Sequence, residues 1–102
     1  MKKTRITLLT VAFIGSGLAL PASAQDASLG RNLAASCAGC HGTAGKSVAG
    51  IPPAAGQPKE ILMRTLKDFK DGKRPATIMH QLAKGYTDEQ LELIAAYFAA
   101  QK

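Results

Sequence analysis

The feature that most constrains this chain is a five-residue stretch, Cys37-Ala38-Gly39-Cys40-His41. If this stretch is helical, Cys37, Cys40 and His41 are related as i, i+3 and i+4, so both thiols and the imidazole lie on one face. The two thiols can then add to the two vinyl groups of one haem as thioethers, while a ring nitrogen of His41 binds the iron. The pattern predicts one covalently attached haem c, held through Cys37 and Cys40, with His41 as a metal ligand.

Two other uses of a Cys-x-x-Cys pair remain open on the sequence. A redox-active disulfide is typical of a strand-helix-strand context, and the chain shows no convincing strand pattern. A structural zinc site needs four ligands in a tetrahedral array, whereas this chain has two cysteines and two histidines, with Cys40 and His41 adjacent.

Residues 1–24 have the pattern of a cleaved signal peptide. Lys2, Lys3 and Arg5 precede an apolar run, and Ala22-Ser23-Ala24 supplies the small residues of a cleavage site before Gln25. The alternative is a retained membrane anchor, but the run is shorter than the ~20 residues that span a bilayer. The sequence therefore predicts export to the periplasm, no stable membrane insertion after cleavage, and one domain from residue 25 to residue 102.

Size and charge narrow the functional classes. The formal net charge of +6 falls when the three basic residues of the signal peptide are removed, so nucleic-acid binding is not suggested. A chain this short has a marginal core of its own, and a buried haem would supply the missing apolar volume.

Apolar spacing predicts an all-α fold. A first helix is expected to begin at Asp26 or Ser28 and to continue into the attachment site, with Leu29, Leu33 and Cys37 as one buried stripe. Further helices are expected after Pro58 and from about Ile78 to Lys84. Thr87-Asp88-Glu89-Gln90 has the pattern of a capping box that opens the last helix. Residues 42–57 lack periodicity and are expected to form a loop around the haem edge.

The whole mature chain resembles the class I cytochrome c family. The likeness is nearest to the small bacterial branch with cytochrome c4 domains, and the matching stretches are residues 37–43, Ala55-Gly56-Gln57 and residues 91–98. The resemblance implies a small cytochrome c fold of three to four helices around one covalently attached haem. Residues 77–79 and 83–86 also look like the haem subunit of flavocytochrome c sulfide dehydrogenase. The better-known members of that group carry two haem domains, whereas this chain has one attachment motif.

The family pattern places a methionine as the sixth iron ligand in the late loop, and Met79 matches that position. Met1 leaves with the signal peptide, and Met63 lies inside a regular helix, away from the centre of its apolar stripe. His80 is the alternative ligand, because imidazole also binds haem iron. Neighbouring helical residues point about 100° apart, so only one of the two can face the iron, and the other use of His80 is a solvated surface histidine.

A metal-bound histidine usually donates its second ring N–H to a fixed acceptor. In the family this acceptor is a proline carbonyl, and the offset from His41 favours Pro53 over Pro52. Either proline could instead serve only to shape a turn in the loop.

With His41 and Met79 both on the iron, no position is left for a substrate, which favours a single-electron carrier over an enzyme with its own catalytic site. Three hypotheses follow. The chain is a haem subunit that accepts electrons from a flavoprotein sulfide dehydrogenase, a free shuttle between redox proteins, or a gas-binding haem protein. The resemblance favours the first. Basic residues between 59 and 84 could steer an acidic partner or could simply be a solvated helix face.

Overall fold

The computed structural model describes residues 15, 17, 18 and 22–102, and residues 22–102 contain helices and loops without a strand. The α-helices are α1 (Ala22–Ala34), α2 (Ala38–His41), α3 (Lys59–Lys70), α4 (Met79–Lys84) and α5 (Asp88–Ala99). Short 3-10 helices cover Ala35–Cys37 and Thr43–Gly45. The all-α prediction is confirmed, and the helix beyond the expected three to four is α2, a single turn within the attachment motif.

Helix α1 begins earlier than the sequence predicted. It starts at Ala22 and not at Asp26 or Ser28, because the small residues at the predicted cleavage site are compatible with a helix and nothing there stops it. The rest of the predicted signal peptide lies outside the described residues, apart from Gly15, Gly17 and Leu18. No helix in the part of the chain from 22 to 102 is long and apolar enough to cross a membrane.

Helices α1 and α5 pack closely where Gly30 meets the backbone of α5. A Cβ on Gly30 would lie 2.7 Å from the carbonyl oxygen of Leu93, so only glycine allows this approach. Gly30 and Ala34 are the buried residues of α1. Leu29, predicted to be buried, is 47 % exposed because the contact face is centred one position further along the helix.

The core of the described residues is built mainly on α5. Leu91, Ile94, Ala95 and Phe98 are buried there, and they pack against Ala34 of α1 and Leu62 of α3. Ala83 is the buried residue of α4. Helix α3 packs against both α4 and α5, but its apolar residue Ile61 is exposed. The core is therefore small, and several apolar side chains lie outside it.

The segment between Gly42 and Pro58 is irregular apart from one 3-10 turn, as predicted. Its ends are fixed to α5: the amide of Gly56 donates to the carbonyl of Phe98 at 3.0 Å. Gly45 has a φ of +74°, and a Cβ there would lie 2.6 Å from the ring of Phe98. The loop is thus anchored to α5 at Gly45 and at Gly56, which positions the residues between them beside the attachment motif.

Candidate functional site

Helical backbone carries the attachment motif, as its spacing predicted. Cys37 has helical dihedral angles (φ −75°, ψ −24°), and Cys40 and His41 lie in the turn of α2 that follows. Both cysteines are free thiols in the structure. Burial raises the pKa of the half-buried Cys37 thiol, and a hydrogen bond with Ser36 partly opposes that change. The two thiols are thus unbridged and available for thioether bonds.

The imidazole of His41 is held by the loop that follows it. Its Nδ1 lies 3.1 Å from the carbonyl oxygen of Pro52. Because a carbonyl only accepts hydrogen bonds, Nδ1 carries the proton in this contact, and the free lone pair is left on Nε2. Anchoring one ring nitrogen while the other stays free is typical of a metal-binding histidine.

The expectation that Pro53 is the acceptor for His41 is wrong, because Pro52 fills that position. The carbonyl of Pro53 instead accepts from Nε2 of Gln57. The physical reason lies in the intervening loop, where Ala44, Ser47 and Ala49 have positive φ. These residues fold the loop back on itself, and the amide of Ser47 donates to the carbonyl of His41 at 2.6 Å. A count of residues along the chain cannot predict which carbonyl such a path presents.

Met79 is the first residue of α4 and is half-buried. Two exposed apolar side chains lie near it in sequence, Ile78 (55 % exposed) and Leu82 (48 % exposed). Met63, by contrast, packs against the protein core from α3. Ligation of the iron by Met79 stays a prediction.

From the sequence, the alternative to iron ligation by His80 is a solvated surface histidine, and the structure does not show such a residue. The residue is half-buried, and its Nδ1 is inaccessible to solvent and has no hydrogen-bond partner among the described residues. An unpaired buried ring nitrogen is unfavourable for stability, so it points to a polar group or ligand atom that the polypeptide does not supply.

The basic residues of the middle segment are largely paired with acids of the same chain. Lys59 contacts Glu92 at 2.8 Å, and both Lys67 and Lys70 contact Asp88, at 3.2 and 3.0 Å. The guanidinium of Arg74 lies 5.3 Å from the centre of the Phe69 ring. These contacts favour a solvated, ion-paired helix face over a free positive docking patch.

The residues present fit a haem. The unbridged thiols could form the two thioether bonds, and the anchored His41 could bind the iron. Exposed apolar side chains are present at Leu29, on the same predicted stripe as Cys37, and at Val48, in the loop that holds His41. The structure gives no support to zinc, because the described residues contain no group of three or more His, Cys, Asp or Glu that could hold a metal ion.

Two site residues were missed at the level of sequence. Ser36 Oγ and Tyr86 Oη form a hydrogen bond of 2.6 Å, although the residues are 50 positions apart. Ser36 precedes the first attachment cysteine, and Tyr86 follows the helix that begins with Met79. Because the two residues are far apart in the chain, no local sequence pattern predicts their contact, and it can be identified only from the fold.

Comparison with known proteins places the chain in a family. Residues 24–98 match the family described as cytochrome c oxidase, cbb3-type, subunit III. The chain is 51 % identical, over 71 residues, to the cytochrome subunit of sulfide dehydrogenase from Chlorobaculum tepidum, covering 70 % of this chain and 64 % of that protein. It is 37 % identical to cytochrome c-554(548) of Halomonas halodenitrificans over 83 residues, covering 78 % of this chain and 100 % of that protein.

Among solved structures, cytochrome c4 of Acidithiobacillus ferrooxidans matches with a TM-score of 0.65 at 29 % identity, covering 83 % of this chain and 52 % of that one. The chain thus spans roughly half to two thirds of two of these relatives. The helical fold, the Cys-x-x-Cys-His motif and these matches agree with one another. The chain belongs to the class I cytochrome c family, within the group described as cytochrome c oxidase, cbb3-type, subunit III, and it is a c-type cytochrome that carries electrons on covalently attached haem c.

Proposed function

We propose that the chain is a periplasmic monohaem cytochrome that accepts single electrons from a flavoprotein sulfide dehydrogenase, as the haem subunit of that enzyme. The observation that carries this proposal is the 51 % identity to the cytochrome subunit of sulfide dehydrogenase over 71 residues, which is 70 % of this chain. The single Cys-x-x-Cys-His motif of the sequence supports one haem for each chain.

Each residue of the site has a defined role in this proposal. Cys37 and Cys40 would form the thioether bonds, and His41 would bind the iron through Nε2 while its Nδ1–H donates to the carbonyl of Pro52. Met79, at the start of α4, would be the second protein ligand of the iron. When bound, haem c supplies one-electron chemistry, since its iron alternates between the ferric and ferrous states. A thioether ligand favours the ferrous state and raises the reduction potential.

The charge distribution supports an interface that is not mainly basic. Most lysines of α3 are held by acids, so docking to a partner would depend on apolar contacts such as those available to Ile78 and Leu82. Exposed apolar surface of this kind is typical of subunit interfaces when it forms a contiguous patch.

Native purification tests the enzyme-subunit proposal. The protein would be isolated from the periplasm of its host under mild conditions, and its size, haem content and flavin content would be measured together. We expect near-equimolar flavin and haem in a complex much larger than this domain, with haem reduction on addition of sulfide. A small, flavin-free haem protein that sulfide does not reduce would contradict the proposal.

That outcome would support the second candidate, a freely diffusing shuttle between redox enzymes. The specific observation in its favour is the match to cytochrome c-554(548), whose whole length is covered by a chain of this size. A shuttle of this kind would pass through size-exclusion chromatography as a small species, and sulfide alone would leave it oxidised.

Carbon monoxide distinguishes both electron-carrier proposals from a gas-binding protein. If His41 and Met79 occupy both axial positions, the reduced holoprotein should bind carbon monoxide slowly and weakly. The Met79→Ala variant, which removes the sixth ligand, should bind it promptly and is the positive control. Prompt binding by the unaltered protein would contradict six-coordinate iron and favour the gas-binding alternative.

A further inference from the structure

One hydrogen bond joins the attachment segment, residues 35–41, to the connection between α4 and α5. It is the bond of 2.6 Å between Ser36 Oγ and Tyr86 Oη. Ser36 lies in the 3-10 helix that ends at Cys37. Tyr86 immediately follows Gly85, which caps the C-terminus of α4. Within the described residues, this is the one side-chain hydrogen bond that links segment 35–41 to segment 79–88.

The α4–α5 connection is also fixed from its other side. Nζ of Lys70 donates to the carbonyl oxygen of Tyr86 at 2.8 Å, and the same ammonium group contacts Asp88 at 3.0 Å. The amide of Tyr86 donates to the carbonyl of Ala83 in α4 at 3.3 Å. The phenol is half-buried and packs against the core. Tyr86 is therefore held in place at its backbone, and its hydroxyl is the end that reaches the attachment segment.

The two axial ligands of the proposed site come from the two segments that this bond joins. His41 belongs to the attachment segment, and Met79 begins α4. The N-terminus of α4 has no side-chain cap, since its flanking residue Ile78 supplies none. Because α4 is short and its start is uncapped, it is held mainly by packing and by its C-terminal end. A contact at Tyr86, just after that end, therefore affects how closely Met79 can approach the haem.

We propose that Tyr86 is a positioning residue, whose hydrogen bond with Ser36 holds the Met79 segment against the haem-attachment segment and thereby limits how often Met79 leaves the iron. This inference rests on the proposed ligation by Met79. Tyr86 and Ser36 would thus strengthen the bond between Met79 and the iron without binding the iron themselves.

The test measures displacement of Met79 by imidazole in the oxidised holoprotein. In that exchange the sulfur–iron bond breaks and a nitrogen–iron bond forms, without any change in oxidation state. Tyr86→Phe removes only the hydroxyl. Loss of one hydrogen bond should raise the population with Met79 released, and hence the apparent affinity for imidazole, by about threefold to tenfold. The reduction potential should fall, because the thioether ligand favours the ferrous state.

Matched variants separate positioning from a general loss of stability. Ser36→Ala removes the same bond and also the contact of Ser36 Oγ with the carbonyl oxygen of Leu33 at 3.4 Å, so it should raise imidazole affinity at least as much as Tyr86→Phe. The double variant should add nothing to Ser36→Ala, because the shared bond is already lost. Tyr97→Phe is the control for loss of a tyrosine hydroxyl, since that hydroxyl forms no hydrogen bond with any of the residues that the structure describes. Ile94→Val lowers stability in the buried core but keeps the Ser36–Tyr86 hydrogen bond, and it should leave imidazole affinity unchanged.

Four results would count against the inference. Unchanged imidazole affinity in Tyr86→Phe would overturn it, and so would additive effects of the two single changes. An equal rise in Tyr97→Phe or Ile94→Val would show that any loosening of the fold has the same consequence. An unaltered protein without sulfur-to-iron charge-transfer absorption would overturn the proposed Met79 ligation together with this inference, whereas the first three results leave that ligation standing.

Discussion

The ionisation of Asp88 is linked to two ion pairs between α3 and α5. Its carboxylate contacts both Lys67 and Lys70, and the hydrogen bonds from these two lysines hold its pKa below the ordinary value of 3.8. A carboxyl whose pKa is lowered by folding stabilises the protein above its unfolded pKa. That contribution is lost as the pH falls from the ordinary value through the lower, folded value.

We therefore expect the stability difference between the unaltered protein and Asp88→Asn to be largest near neutral pH and to shrink as the pH falls below the ordinary value of 3.8. Denaturant unfolding of both holoproteins between pH 7 and pH 2 measures it. The control is Glu89→Gln, since Glu89 shares the first turn of α5 and forms no ion pair within the described part of the chain. A difference that is independent of pH would contradict the role given to the ion pairs.

Single residues also mark where prediction from the sequence succeeds and where it stops. Cys37, Cys40 and His41 could be placed together because their relation is local and set by helical geometry. The acceptor for His41 could not be placed, since the loop before Pro52 includes Ala44 and other residues at positive φ. Tyr86 could not be connected with Ser36 because the contact depends on how four helices pack.

At the scale of elements, the crossing of α1 and α5 depends on the absence of a side chain at Gly30. Gly30→Ala would place a Cβ 2.7 Å from the carbonyl oxygen of Leu93, so the two helices must move apart. We expect a loss of about 1–3 kcal/mol in the free energy of unfolding, measured by denaturant titration. Ser28→Ala, on the exposed face of the same helix, should change stability little. Equal effects of the two substitutions would contradict a tight crossing at Gly30.

The start of α5 provides a second prediction at this scale. Thr87 and Gln90 form a complete capping box, in which the amide of Gln90 donates to Thr87 Oγ1 at 3.2 Å and the amide of Thr87 donates to Gln90 Oε1 at 2.9 Å. Thr87→Ala should lower the free energy of unfolding by about 1 kcal/mol, and Thr87→Ser should restore most of it. Denaturant titration of both variants checks this, and equal losses would argue against a role for the hydroxyl.

The helices differ in how well their ends and their buried faces could be predicted from the sequence. The capping box and the termination of α4 near Gly85 are local patterns, and both were predicted. The start of α1 was not, since the residues before Asp26 can also be helical. The exposed positions of Leu29 and Ile61 were not predicted either, because periodicity marks an apolar face without saying whether protein or cofactor covers it.

At the scale of the whole molecule, the apolar core of the described residues is small. The buried apolar residues of the described part are few, and three of them are alanines. They are Ala34, Leu62, Ala83, Leu91, Ile94, Ala95 and Phe98. A core of this size in a domain of about 80 residues rarely supplies more than about 3–5 kcal/mol. The exposed apolar side chains beside the attachment motif are consistent with a fold that is completed by its haem.

The last prediction follows from the small size of this apolar core. A Cys37→Ala/Cys40→Ala variant purified without haem should lose most of its helical signal and its cooperative unfolding, because the apolar surface meant for the haem is left in water. Far-ultraviolet circular dichroism and thermal unfolding measure both properties. The control is Met79→Ala, which keeps the covalent attachment and should therefore keep the helices while losing one axial ligand. If the variant without cysteines keeps the helix content and the cooperative transition of the holoprotein, the polypeptide core is sufficient and the haem serves electron transfer without being required for folding.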